Sequence, residues 1–298
     1  MRTVLTHILI LAIVLCSAEK AVSEQALIFQ PLVSIYSDSD GKGLLHPEDV
    51  ACRADSIVIA DTGNNRLVQY GLQDNEVKFI SQVHFSQLRS PIRVQITSKG
   101  EIWALSSKNR RIVRVGPDGQ FLGNFELKSV PDQEEIVPRS FRIDRDDKVY
   151  ILDIHGNRLL VFSAAGEFLR QIDLPKEFGS FADFVVASSG TIYTVDSIHA
   201  RIHSAGPDAQ NFSPLSKSLK DRMNFPTYIT TDNGGNLYVT DQNGGKIILV
   251  GVDGSFRGQK AGKGRAEGLL NYPVGICLNG NGLAFVADRN NNRVQIFR

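Results

Sequence analysis

One pattern occurs six times along the chain: SIVIADTGNNRLVQY, EIWALSSKNRRIVRV, KVYILDIHGNRLLVF, TIYTVDSIHARIHSA, NLYVTDQNGGKIILV and GLAFVADRNNNRVQIF. In five copies an Asp precedes a basic residue by five positions: Asp61 and Arg66, Asp153 and Arg158, Asp196 and Arg201, Asp241 and Lys246, Asp288 and Arg293. The second copy keeps Arg111 but has Ser106 where the others have Asp. Measured at the Asp or Ser, successive copies are offset by 45, 47, 43, 45 and 47 residues. A second mark stands 14 or 15 residues earlier: Pro47, Pro91, Pro138, Pro226 and Pro273, with Phe181 in the fourth copy. Self-similarity at a fixed period signals a stack of one supersecondary unit.

Each unit carries four short runs rich in β-branched and aromatic residues, separated by turn formers. In the third unit the runs are SFRID, KVYILD, RLLVF and FLRQI, divided by RDD, IHGN and SAAGE. Asp, Asn and Gly tolerate turn geometry, and runs of this length with loops this short describe an antiparallel four-stranded meander. Four-stranded units at this period predict an all-β, six-bladed β-propeller, whose radial stacking leaves only short, protected edges. The blades are expected near residues 47–83, 91–125, 138–172, 181–215, 226–260 and 273–298.

The period also admits WD40 blades, but their Gly-His and Trp-Asp marks are missing and the sole Trp is Trp103. The pattern instead resembles the NHL repeat family, whose blades carry a Pro, an Asp after the second strand, then Asn and Arg before the third. ADTGNNRLVQY and ADRNNNRVQIF resemble it most closely. The resemblance extends over about residues 32–298 and is weaker in the second unit, which lacks the Asp, and in the fourth, which lacks the Pro and the Asn.

The sixth unit holds only three strands, GICLN, LAFVAD and RVQIFR, so its last strand would show an unpaired edge. The segment before the first unit, QPLVSIYSDSDGKGLLHPEDV, aligns with SFRGQKAGKGRAEGLLNYPVG through Gly43, Leu44, Leu45 and Pro47 against Gly268, Leu269, Leu270 and Pro273. Residues 32–37 are therefore expected to supply the missing outer strand and close the ring.

Hydrophobic content is 42% and formal net charge +1. A near-neutral chain gives no reason to expect nucleic acid as partner, which favours a strongly basic face. Arg2 followed by TVLTHILILAIVLCSA and then EKAVSEQ reads as a secretory signal over residues 1–23, with cleavage after Ala18 or Ser23. A permanent membrane anchor needs about 20 apolar residues, more than this stretch offers. Lipidation at Cys16 fits poorly, because Leu15 is larger than the residue usually found before such a Cys. The mature protein, residues 24–298, is expected to be exported to the periplasm or secreted, as a monomer with no stable membrane span. Export leaves Cys52 and Cys277. An oxidising compartment permits a disulfide, but a domain of this size holds itself by burial, so two free, buried thiols are expected.

The repeated Asp and basic residues, with Arg111, are read as structural: the Asp accepts backbone N–H bonds in the following turn, and the basic residue pairs with it or with its counterpart in a neighbouring blade. The acids of SDSDGKG and IDRDDK are read as solvated turns, since they lack the oxygen set of a calcium loop. Some propellers with NHL-like repeats are metal-dependent lyases of amidated peptides, and the resemblance places their His ligands just after each repeat Pro. Here those positions hold no His, and zinc takes three or four N or S ligands, so neither metal nor cofactor is expected. His155 and His199, in the second-to-third strand loops of adjacent blades, could approach each other but are read as an incidental pair. No nucleophile elbow or phosphate-cradling loop is present.

Specificity is expected where the repeats differ. The residue two after each Pro, or after Phe181, runs Asp49, Arg93, Ser140, Asp183, Tyr228 and Gly275. Sixfold order sets Asp49 opposite Asp183 and Arg93 opposite Tyr228, on the face that carries the loops Thr62–Asn65, Ser107–Arg110, Ile154–Asn157, Ser197–Ala200, Gln242–Gly245 and Arg289–Asn292. Asp49, Arg93, Asp183 and Tyr228 are the candidate ligand contacts at an exposed channel mouth, which would otherwise be a wet entrance with no ligand. The resemblance implies a non-catalytic module that binds a peptide, protein or glycan there. The alternative is a metal-dependent lyase, lactonase or hydrolase with its site at the same mouth, since fold alone does not decide function.

Overall fold

The computed structural model describes residues 29–298 except 54, 75, 132–134 and 178. The signal segment expected over residues 1–23 lies outside the described residues. The chain forms six antiparallel four-stranded sheets. In the third the strands are Pro138–Ile143, Val149–Asp153, Arg158–Phe162 and Phe168–Asp173, in sequence order across the sheet. This is the six-bladed propeller that the period predicts.

Burial follows position in the blade. The second strands Ile102–Ser106, Val149–Asp153, Ile192–Asp196, Leu237–Asp241 and Ala284–Asp288 are buried at every residue. A blade is covered on both faces by its neighbours, so its middle strands are apolar throughout rather than alternating. Outer strands are more exposed, and Glu76–Val83 and Phe256–Lys260 alternate. The core is thus a series of clusters at the seams between blades; one joins Val58, Ala60 and Leu67 of the first blade to Val94, Ala104 and Val113 of the second.

The ring closes as expected. Pro31–Ile35 pairs antiparallel with the last strand, Arg293–Phe297, with Val33 opposite Ile296 and Ile35 opposite Val294. Gln30 and Arg298 extend the ladder through two backbone bonds of 2.9 Å. Phe29 anchors this strand, lying 5.3 Å from the Phe297 ring and 6.1 Å from the Tyr238 ring. Asp38 is not a solvated acid: it is buried and bound by the Arg66 guanidinium at 2.5 Å. Burial works to raise the Asp38 carboxyl, but the Arg66 bond and the Lys42 N–H outweigh it and hold the group below its ordinary range.

The cysteines are not free. Cys52 and Cys277 form a disulfide with a Cα–Cα distance of 5.9 Å. Sheets packed face to face normally stand about 10 Å apart, but blades converge at the axis, and both cysteines lie on innermost strands, Asp49–Arg53 and Pro273–Leu278. Convergence brings the pair within bonding distance, and the bond ties the first blade to the sixth.

Two outcomes test this closure. Deleting residues 29–38 should cause aggregation or a large fall in melting temperature, and Phe29→Ala alone should cost about 3 kcal/mol; an unchanged melting curve for the deletion would refute the closure. Mass analysis of unreduced protein should show a deficit of two hydrogens, and the double Cys→Ser variant should lose about 2–5 kcal/mol.

Candidate functional site

The repeat Pro, or Phe181 in the fourth blade, leads into each innermost strand, and in five of the six the register shifts immediately after it; the first, Asp49–Arg53, pairs without a shift. The shifts fall between Pro91 and Arg93, Pro138 and Ser140, Phe181 and Asp183, Pro226 and Tyr228, and Pro273 and Ile276. A bulge re-aims the side chain that follows it. Here it brings the residue two after the Pro into contact with its counterparts from other blades. The six variable residues therefore meet one another around the axis, not at an exposed rim: Asp49, Arg93, Ser140, Asp183 and Tyr228 are all less than 5% exposed. The expectation of an open, solvated mouth lined by them is corrected by this burial.

Arg93 and Tyr228, from opposite blades, meet across the axis. The guanidinium carbon lies 3.8 Å from the centre of the Tyr228 ring, and Nη1 donates to the Tyr228 hydroxyl. Nη1 also donates to the Ile92 carbonyl at 2.7 Å, Nη2 to the Ala182 carbonyl at 3.3 Å and Nε to Ser140 Oγ at 3.2 Å. The Tyr228 hydroxyl lies 3.0 Å from the carbonyls of both Glu48 and Ile92. Burial pushes that hydroxyl well above its ordinary pKa, so it stays neutral.

The two carboxylates latch neighbouring blades. Asp183 accepts from Ser140 Oγ at 2.5 Å, from Arg142 Nη2 at 2.6 Å and from the Ile229 N–H of the next blade at 3.2 Å. Asp49 accepts from its neighbour Val50 N–H at 2.9 Å and from Val94 N–H of the next blade at 2.9 Å. The sixth blade supplies Gly275 because a Cβ there would collide with the Asp49 carboxylate and lie 2.6 Å from its Cα. Burial pushes the Asp49 carboxyl up to about 7, against the pull of Arg93 and Arg142. Beneath this layer a cavity of about 140 Å³ is lined by Asp49, Arg142, Gln95, Thr230 and the two cysteines.

Above the layer, sequence reasoning missed the polar groups that reach the surface. Arg139, directly after its Pro, is exposed. Surrounding protein still removes part of its hydration and Arg93 repels it, so its guanidinium is held below its ordinary pKa. Glu48 pairs with Arg289 at 2.6 Å, and Arg289 stacks on Tyr272. Ile154 and Ile198 stand exposed on the same loops, at 47% and 37%. The sign that could have found Arg139 was the same comparison of copies made one position earlier.

The turn that follows the repeated Asp is held through backbone N–H groups by Asp153, Asp196 and Asp241 only, whereas all five repeated Asp residues hold the loop that precedes the innermost strand. Asp61, Asp153, Asp196, Asp241 and Asp288 accept the N–H of Leu45, Val137, Ser180, Phe225 and Asn271, each one or two residues before the repeat Pro or Phe. Basic partners are bound within their own blade in three cases: Arg66 at 2.6 Å, Arg158 at 3.1 Å and Arg293 at 2.7 Å. The pairing fails in the others. His199 takes Asp196 at 2.6 Å and leaves Arg201 facing Glu177, Lys246 turns to Gln259, and Arg111 faces Glu126. His199 is thus engaged in its own blade, and among the described residues no group of three or more His, Cys, Asp and Glu side chains could hold a metal ion.

The NHL repeat family model matches residues 270–297, which span the sixth blade. The chain is a six-bladed β-propeller with an NHL repeat in its sixth blade. The propeller resembles solved structures at low identity. A gluconolactonase from Xanthomonas campestris is 12% identical, covering 85% of this chain and 86% of that one, with a TM-score of 0.66. Virginiamycin B lyase from Staphylococcus aureus is 14% identical, with 89% and 79% covered and a TM-score of 0.57. A protein of unknown function from Bacteroides thetaiotaomicron is 14% identical, with 90% and 72% covered and a TM-score of 0.67. At such identity the shared property is the fold. Among curated protein sequences none matches.

The raised Asp49 pKa makes stability depend on pH. The folded state holds a proton that the unfolded chain releases near 3.8, so this contribution is complete below that pH and is lost as pH rises through about 7. Asp49→Asn should flatten the stability profile between these limits, by up to about 4 kcal/mol. A parent and variant with parallel profiles would show that Asp49 does not titrate there.

Proposed function

We propose that this propeller is a non-catalytic recognition module whose loop face binds a peptide, protein or glycan around the axis. One observation supports the reading above others: the axis is closed by Arg93 and Tyr228, and the carboxylates beneath are consumed by backbone N–H groups, Ser140 and Arg142. A partner meets a floor with a polar and apolar rim, formed by Arg139, Glu48, Ile154 and Ile198. Asp49, Arg93, Asp183 and Tyr228 then serve the site by holding that floor level. The disulfide joining residues 225 apart supports export to an oxidising compartment, in keeping with the segment over residues 1–23.

A second reading, a lyase, lactonase or hydrolase, draws on the Asp49 carboxyl. A buried acid that titrates near neutrality beside a cavity is a common mark of general acid–base sites, and lyases and a lactonase share this fold. Peptide and glycan arrays probed with the purified protein discriminate between the two. Recognition predicts a partner whose binding falls more than about tenfold, or 1.4 kcal/mol, in the Arg139→Ala, Ile154→Ala, Ile198→Ala triple variant, with melting unchanged. Turnover of a lactone, or stoichiometric zinc or calcium in active protein, would favour the enzyme and sink the recognition reading.

A further inference from the structure

The second blade departs from the repeat at two positions of one turn. Arg110 occupies the left-handed backbone position, with φ 52°, that the other blades give to Asn65, Asn157, Ala200, Gly245 and Asn292. Left-handed backbone suits Gly and Asn better than a long side chain. Ser106 replaces the Asp, and it performs the loop-holding role alone: Ser106 Oγ accepts from the Arg89 N–H and donates to the Arg89 carbonyl, both at 2.9 Å. The scaffold's requirement is met without Arg111.

Arg111 is left at the surface in consequence. Where the Asp is present and paired, the arginine side chain is 2%, 11% or 3% exposed, in the first, third and sixth blades. The Arg111 side chain is 60% exposed, and its pair with Glu126 is stretched to 4.0 Å. Both arginines edge a groove of about 280 Å³ between the second and third blades, walled by Ile112, Phe125, Leu127 and Ile136. Ile112 and Phe125 are buried in its floor.

We propose that this groove binds the carboxylate end of a peptide whose last side chain is apolar. A guanidinium matches a carboxylate in two-point fashion, and the apolar wall beside it takes the side chain. The volume is at the lower limit of ordinary small-molecule pockets, which suits one terminal residue rather than a long segment. Glu126 and Glu135, the acidic neighbours of Arg111 and Arg110, form solvent-exposed pairs. Such pairs hold weakly and yield to a better-placed carboxylate. The proposal rests on the recognition reading and gives it a chemical class at a site apart from the axis.

The probes are N-acetyl-leucine and N-acetyl-leucinamide, titrated against the whole protein by NMR. The acid should bind in the millimolar range and the amide at least about tenfold more weakly, the worth of one charged contact. Arg111→Gln should abolish the difference. Ser106→Asp should recapture Arg111 as in the other blades and weaken the acid about tenfold without lowering the melting temperature. Should Ser106→Asp fold poorly, the exposed Arg111→Gln variant carries the test. The proposal falls if the acid does not bind, if acid and amide bind alike, or if Arg111→Gln binds the acid as the parent does. A partner lost in the axial-rim triple variant but indifferent to Arg111→Gln would overturn the groove and leave the recognition reading standing.

Discussion

A propeller must close on itself, and the rest of this structure depends on that seam. Blades bury their apolar middle strands only because each has a neighbour on both faces; an open ring would expose the faces of the first and the last. Three interactions meet at the seam. The strand Pro31–Ile35 completes the sixth blade on its outer side. The Cys52–Cys277 bond joins the innermost strands of the first and sixth blades. The Asp38–Arg66 pair ties the segment after the closing strand to the first blade. Outer edge, inner edge and connecting segment are each secured by a different kind of force: backbone hydrogen bonding, covalency and a buried, charge-assisted hydrogen bond.

The axis poses the second constraint. Six innermost strands converge there, five of them with a bulge that re-aims one side chain. Six small residues would leave a wet pore and six large ones could not fit. The chain resolves this with unequal residues: Arg93 and Tyr228 span the centre, Asp49 and Asp183 latch adjacent blades, and Ser140 and Gly275 give way. A buried guanidinium is costly unless its donors are used, and the donors of Arg93 reach Ser140, Ile92, Ala182 and Tyr228. Divergence among repeats is therefore not in itself a mark of ligand binding. At the axis it is what packing demands of a sixfold arrangement built from one irregular chain.

Elsewhere divergence has the opposite effect. The Asp and basic pair is a scaffold device, and where it is complete the basic residue is buried and spent. Replacing Asp with Ser in the second blade preserves the loop contact but releases the arginine to the surface. The same substitution class thus means different things at different radii: near the axis it fills space, and at the loop face it frees chemistry.

Periodicity determined the architecture from sequence alone, because a repeat of about 45 residues with four short β-rich runs and turn residues between them has few ways to bury itself. The closing strand was legible too, since the Gly-Leu-Leu alignment before the first and sixth Pro set its register locally. Asp61 and its counterparts declared their loop-holding role by recurring. Tertiary structure alone decided three matters. Whether Asp49, Arg93, Asp183 and Tyr228 face water or one another depends on the radius at which the innermost strands place them, which no linear spacing encodes. Whether Cys52 and Cys277 bond depends on how closely two blades converge, a distance set by the ring as a whole. Which arginines are spent and which reach the surface depends on competition for carboxylates within each blade: Arg201 loses Asp196 to His199, and Arg111 has Ser106 in place of a buried Asp. Sequence speaks through local periodicity and hydrogen-bonding capacity, while radius, convergence and competition arise only once the ring is closed.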